Sequence, residues 1–299
     1  MISRVISSFA HKTWSERANS ARFRFRQSLA KLPYLPVPVR LKIDEEEALK
    51  FWWSYVVPYF DPAREFFDYW GKDVADLQFL WHVLKPGMVF LDIGAYHGIY
   101  SLVAAKRLNG TGRVVAFEPS PREFARLRLH LGWNGIRNAR AEHLAVAAAG
   151  GEKEFFQVSS GDTSRGGLRA PTSNDLVRPL TVSVVSLDDY LRKASLDRVD
   201  VVKLDVEGGE LDALRGASSL LERHRPMFIC EVLDIATEPW GYKAREIVSA
   251  FLSHDFEWFD LRPGGRLSAH KNQELYPEVR NYLAVPREKL GSIREWVLP

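Results

Sequence analysis

Leu91-Asp92-Ile93-Gly94-Ala95-Tyr96-His97-Gly98 runs an apolar strand straight into a turn with two glycines, and Ile99 to Leu108 follows with helical spacing. Strand, glycine turn and helix in this order make the first unit of an open α/β sheet, whose ligands bind where strands end and helices begin. The glycines let a ligand approach the backbone closely. Their spacing is G-x-x-x-G, and an acid, Asp92, closes the strand. A dinucleotide site uses G-x-G-x-x-G and presents an anion to the helix N-terminus, so Asp92 would repel a pyrophosphate. The same acid suits a cofactor with an ammonium and a sulfonium, which describes S-adenosylmethionine.

Outward from this unit, short apolar runs alternate with helical stretches. Strands are expected at Val89–Ile93, Arg113–Phe117, Ala141–Val146, Val199–Asp205, Met227–Val232, Phe256–Leu261 and Tyr282–Val285. Seven strands fit one doubly wound, mostly parallel sheet with helices on both faces. Glu154–Val158 and Leu180–Val185 alternate like a hairpin, and the polar stretch from Ser159 to Arg178 between them reads as a surface loop. Ser120-Pro121-Arg122-Glu123 and Ser186-Leu187-Asp188-Asp189 are helix-start signatures.

Two further stretches bear ionisable groups at strand ends. Phe117-Glu118-Pro119 ends the second strand with an acid, placed where a carboxylate accepts hydrogen bonds from both hydroxyls of a ribose. Lys203-Leu-Asp205-Val-Glu207 alternates, which is expected to put all three charged groups on one side of a central strand. Such groups in an apolar run are costly to desolvate unless paired or used. Asp205 is the first choice for a general base toward a hydroxyl, Glu207 the second, and Glu231, ending the next strand, a supporting group; Lys203 orients a carboxylate or polarises the acceptor. A divalent cation on Asp205 and Glu207 is the less favoured alternative, because two acids two residues apart are a thin ligand set. Leu144 and Ala145, toward the end of the third strand, are expected to flank an adenine.

With 46% hydrophobic and 26% charged residues, the 299-residue chain is neither disordered nor disulfide-stapled. No apolar run is long enough to cross a bilayer. The single cysteine, Cys230, lies in Met227-Phe-Ile-Cys230 and reads as a buried hydrophobe. Charge is uneven: residues 1–42 hold nine Lys/Arg and one acid, a net of +8, against −5 for the rest. These residues form a basic arm and a proline-bearing linker (Pro33, Pro36, Pro38). Solvation is its first expected role and peripheral contact with an anionic membrane its second, whereas the acidic body disfavours nucleic acid. Residues 43–84, dense in aromatics, read as a helical extension broken at Pro58 and Pro62, and residues 85–299 as the catalytic unit. A cytoplasmic location is expected, with a peripheral place at the inner membrane surface as the second reading of the arm.

Taken together, Asp92-Ile-Gly-Ala-Tyr-His-Gly98-Ile-Tyr-Ser101, Phe117-Glu118-Pro119, Ser186-Leu-Asp-Asp189, Lys203-Leu-Asp-Val-Glu-Gly208 with Glu210 and Leu214-Arg-Gly216, and Asn281-Tyr-Leu-Ala-Val-Pro286 resemble the FkbM family of S-adenosylmethionine-dependent methyltransferases. The resemblance covers roughly Lys85 to Pro286. It implies a Rossmann-like class I methyltransferase fold and O-methylation of a hydroxyl on a sugar, glycan, glycolipid or secondary metabolite. It further implies cofactor contacts at Asp92, Gly94, Ala95, Tyr96, Gly98, Ser101, Glu118, Pro119, Leu144, Ala145 and Asp205. One departure stands out: the family usually has asparagine where this chain has Tyr96. The rival readings are a noncatalytic protein that keeps the fold to bind the cofactor or a partner, and a nicotinamide-dependent reductase, which the missing phosphate fingerprint disfavours.

Overall fold

The computed structural model describes residues 36–43, 48–53, 74–159, 163–172 and 175–299. Most of the basic arm, the aromatic run at 54–73 and two short pieces of the 159–178 loop lie outside the described residues. In chain order the elements are β1 (Val37–Lys42), β2 (Ala48–Trp53), α1 (Ala75–Val83), β3 (Val89–Ile93), α2 (Ile99–Arg107), β4 (Arg113–Phe117), α3 (Pro121–Trp133), β5 (Ala139–Glu142) and β6 (Ala145–Val146). There follow β7 (Gly151–Val158), β8 (Val177–Val185), α4 (Leu187–Lys193), β9 (Val201–Leu204), α5 (Glu210–Arg215), β10 (Met227–Glu231), α6 (Asp234–Thr237), α7 (Arg245–Leu252), β11 (Phe256–Arg262), β12 (Arg266–Ala269) and β13 (Asn281–Pro286).

The main sheet has the order β12-β11-β13-β10-β9-β3-β4-β5. From β5 to β10 the neighbours are parallel, and β13 enters antiparallel between β10 and β11. The expected doubly wound sheet is present with one strand more than the seven expected, because Arg266–Ala269 pairs with β11 at the edge. Strands buried on both faces still alternate in what they touch. Phe90, Val114 and Ala116 join one core with α1 and α2, while Leu91, Val115 and Phe117 join the other with α4, α5 and α7.

Three expectations change. The expected strand 141–146 is split at His143-Leu144: β5 ends the main sheet, and β6 leaves it to pair with β8 of the β7–β8 hairpin. Residues 48–53, expected to be helical, form a strand paired in register with Val37–Lys42; helix occurs in the described part of 43–84 at Ala75–Val83. Leu49, Phe51 and Trp53 alternate inward while Lys50 and Trp52 face solvent, and a period of two wins over the helical spacing of the Trp and Leu positions. The linker expectation fails at Pro38 as well, since Pro38, itself exposed, sits in β1, an edge strand of a two-stranded sheet, where a missing N–H is tolerated.

The described N-terminal residues share the core of the sheet: Leu41, Ile43, Phe51 and Trp53 pack in the same cluster as Leu80, Phe90 and Leu102. Both helix-start signatures act as caps. Ser120 Oγ accepts from Glu123 N, and Ser186 Oγ accepts from Asp189 N. Cys230 is buried in β10. No helix among the described residues is long and apolar enough to cross a membrane.

Candidate active site

A cleft of about 450 Å³ opens at the carboxyl ends of β4, β3, β9 and β10. Its floor is the turn after β3. Gly94 and Ala95 donate their N–H groups to the Phe117 carbonyl at 3.1 and 2.9 Å, which ties this turn to the end of β4. Gly94 has φ +81, and a Cβ there would stand 1.7 Å from the Asp205 carbonyl oxygen, so only glycine lets β3 and the end of β9 close on each other. Gly98, with φ +87, starts α2, and a Cβ would meet Leu127 at 2.4 Å.

Tyr96 lies between them at φ +48, in the left-handed region that asparagine tolerates better than tyrosine. The tyrosine is held by what it touches. Its ring stacks on His97 at 3.7 Å and its hydroxyl lies 2.6 Å from Thr163 Oγ1, joining the turn to the loop across the cleft. His97 Nε2 in turn lies 2.7 Å from Glu123 Oε2, and burial pushes the imidazole below its ordinary pKa.

Glu118 lines the cleft with a carboxylate that is almost fully buried. Oε2 accepts from Tyr96 N and Oε1 from Ser120 N, both at 2.8 Å. Each oxygen therefore keeps a second lone pair for a ligand hydroxyl. Burial, reinforced by the Glu123 charge, pushes this carboxyl up to about 8. Pro119, Leu144 and Ala145 line the same side of the cleft.

Asp92 and Ser101 are placed differently from the other expected cofactor residues. They lie behind the turn rather than in the cleft lining, and Ser101 Oγ donates to Asp92 Oδ2 at 2.6 Å. Asp92 Oδ1 is buried with no hydrogen-bond partner among the described residues, and burial raises this carboxyl to about 6.

On the other side of the turn Lys203, Asp205, Glu207 and Glu231 all line the cleft. Lys203 is buried and donates to Asp205 Oδ2 at 2.8 Å, while the Asp205 side chain keeps about three-tenths of its surface exposed. Burial would lower the lysine pKa, but the Asp205, Glu231 and Asp76 carboxylates outweigh it and hold the ammonium above its usual range. The expected alternation stops short of Glu207, because β9 ends at Leu204 and Glu207 takes φ +55. The acids that converge are instead Asp205, Glu210 and Glu231, with carboxylate oxygens within 4.8 Å of one another. Glu210 is buried, which raises it to about 7, and it accepts from Val206 N. For a cation site the structure thus replaces the expected Asp205–Glu207 pair with this trio, because the turn at 206–209 carries Glu207 away and starts α5 with Glu210 pointing inward.

Several cleft residues were not anticipated. Asn281 and Tyr100 line it, and both donate to Asp76 Oδ2, at 2.7 and 2.5 Å; Asn281 stands opposite Glu231 in the β10–β13 register. Asn281 and Glu210 were visible in their motifs as positions without a role. Trp53, which also lines the cleft, belongs to the aromatic run of residues 51–70, for which core packing is the first reading and an acceptor site the second; Asp76 had no signal, since nothing around it in the sequence ties it to Tyr100 and Asn281, 24 and 205 positions away.

A five-stranded parallel core extended by an antiparallel strand between the fifth and sixth, with an acid-lined cleft at the strand ends, defines the class I methyltransferase architecture. The chain belongs to the FkbM methyltransferase family: the model of the methyltransferase FkbM domain matches residues 92–291. It is 31% identical over 156 residues to the 2-O-methyltransferase NoeI of Sinorhizobium fredii, covering 47% of this chain and 62% of that one. It is 28% identical over 142 residues to the hexuronic acid methyltransferase AglP of Haloferax volcanii, covering 45% and 52%. The matches thus span between half and two thirds of these relatives. A crystal structure of a methyltransferase FkbM from Methylobacillus flagellatus is similar with TM-score 0.43 and 16% identity, over 67% of this chain and 44% of that one.

Proposed function

We propose that the protein transfers the methyl group of S-adenosylmethionine to a hydroxyl of a sugar or glycan. The reading rests above all on one observation: Glu118, with a spare lone pair on each oxygen, and Asp205, with one oxygen held by Lys203, share one cleft on either side of the Gly94 turn. Glu118 is suited to the two ribose hydroxyls, Leu144 and Ala145 to the adenine, and the turn from Gly94 to Gly98 to the methionyl part. The orphaned Asp92 Oδ1 beneath that turn fits an ammonium or a water that bridges to one. When bound, the cofactor supplies a methyl carbon already activated by positive sulfur.

The chain's own task is then to align and deprotonate the acceptor hydroxyl. Asp205 is the base: its cleft-facing carboxylate accepts the proton, and Lys203, 2.8 Å from Oδ2, orients it. Glu231 and Asn281, at the ends of the next two strands, position the acceptor, and Glu207 lines the mouth. The carboxylates of Asp205 and Glu231 already have a cation in Lys203, so this chemistry does not call for a divalent metal. The names of the two curated relatives favour a carbohydrate acceptor. Mass spectrometry of glycans and glycolipids from cells with and without the protein tests the reading: a difference of one methylene on a sugar supports it. Tight binding of S-adenosylhomocysteine with no methylated product in any pool would favour the noncatalytic alternative.

A further inference from the structure

At the end of the sheet opposite the cleft, the loops before β4 and β5 and the end of α4 enclose a second, open cavity of about 850 Å³. Its charged lining is all basic: Lys106, Arg113, Arg137 and Arg140, with no acidic side chain among the described residues. Arg140 pairs with Glu142, but Lys106, Arg113 and Arg137 make no ion pair among the described residues. Four like charges gathered with one counter-ion between them raise each other's energy, and an anion outside the protein relieves it. The concentration is local, for the chain beyond residue 42 carries a net charge of −5.

The β1–β2 pair stands at the rim of this cavity. Asn134, in its lining, accepts from Trp52 N at 2.9 Å and donates to Trp52 O at 2.8 Å, and Lys106 Nζ lies 5.2 Å over the Phe51 ring. Trp52 is 47% exposed, and Pro38, its partner in register, and Lys50 are exposed too. β1 begins beside Trp52 and Trp53, and the sequence that precedes it, residues 1–35, holds seven Lys/Arg and one acid. Cations beside an exposed indole are the make-up of a membrane-interface anchor. A long polyanion would instead run from the basic face onto the acidic body.

We propose that this basic face, with Trp52 at its rim, docks the protein on an anionic phospholipid surface. The cations meet lipid phosphates, the indole enters the headgroup region, and the cleft stays at the far end of the strands, open to an acceptor. The proposal does not depend on the methyl-transfer reading.

The test is equilibrium binding of the full chain to vesicles of phosphatidylglycerol and phosphatidylcholine at low salt. Each cation near such a surface contributes about a fivefold factor, so Arg113→Glu with Arg137→Glu is expected to weaken binding at least about 25-fold. Both residues are exposed and remote from the cleft, and unchanged cooperative melting shows the fold intact; if melting changes, Arg137→Gln alone, expected about fivefold weaker, decides. Brominated acyl chains should quench wild-type tryptophan fluorescence more than that of Trp52→Phe. Absence of wild-type binding, equal binding by the charge-reversed variant, equal binding to pure phosphatidylcholine, or displacement of the vesicles by stoichiometric duplex RNA would each overturn the proposal.

Discussion

The carbonyl oxygen of Asp205 lies 1.7 Å from the point where a Cβ on Gly94 would stand. The proposed base and the proposed cofactor turn are thus locked together by backbone, and side-chain volume at 94 must push them apart. Gly94→Ala should cost about 2–4 kcal/mol by urea denaturation, combining positive-φ strain with a clash that backbone alone can relieve. It should also abolish S-adenosylhomocysteine binding. Retention of both stability and affinity would show that the turn is softer than its geometry implies.

Glu118 gives a pH signature. Its folded carboxyl titrates near 8 against 4.5 for the ordinary group, because burial opposes the charge. Between those values the folded state holds a proton that the unfolded state releases, so this group's contribution to stability falls as pH rises through that window. Ribose hydroxyls donate to the ionised form, so affinity for S-adenosylhomocysteine should rise with pH up to about 8, by at most about tenfold per unit. In Glu118→Gln both trends should flatten and affinity at pH 8 should drop by about 1.5–3 kcal/mol. Calorimetry across pH 6–9 checks this, and a wild-type affinity that ignores pH removes the ribose assignment.

Asp205→Asn should slow single-turnover transfer to a genuine acceptor by about 10²–10⁴ while cofactor affinity changes little. Chelation should leave the wild-type rate unaltered, since Lys203 supplies the positive charge at Asp205 and Glu231. A rate abolished by chelator and restored by a divalent cation would transfer the role to a metal on Asp205, Glu210 and Glu231. Wild-type rates in the mutant would move the search for the base to Glu231.

Trp53 and Trp52 are neighbours with opposite expectations. The Trp53 ring stacks on His130 at 3.9 Å and meets His97 edge-on at 6.2 Å, so Trp53→Ala should cost about 3–5 kcal/mol, and Trp53→Phe less. Trp52→Ala should stay within about 0.5 kcal/mol, because its packing faces solvent and its bonds to Asn134 are made by backbone. Denaturant midpoints for the three variants measure the difference.

Much of the fold was legible in local patterns. Val89–Ile93 and Arg113–Phe117 appear as read, and both serine caps formed, because strand alternation, glycine turns and capping hydroxyls act over a few residues and need no distant partner. The order of charged strand ends likewise announced a cleft holding Glu118, Lys203, Asp205 and Glu231. Three things needed the tertiary structure. Residues 48–53 became a strand because Val37–Lys42 offered a partner and the sheet's core a place for Phe51 and Trp53; a short apolar run is ambiguous until burial selects its period. Asp92 went behind the turn rather than into the cleft, since the first turn of α2 presents Ser101 to it. Glu210, Glu231, Asn281 and Asp76 converged on Lys203 and its neighbours although up to 205 positions separate them. Electrostatic partnership depends on distance in space, and only the sheet order β13-β10-β9-β3, with α1 and α2 laid across it, brought those charges within reach of one another.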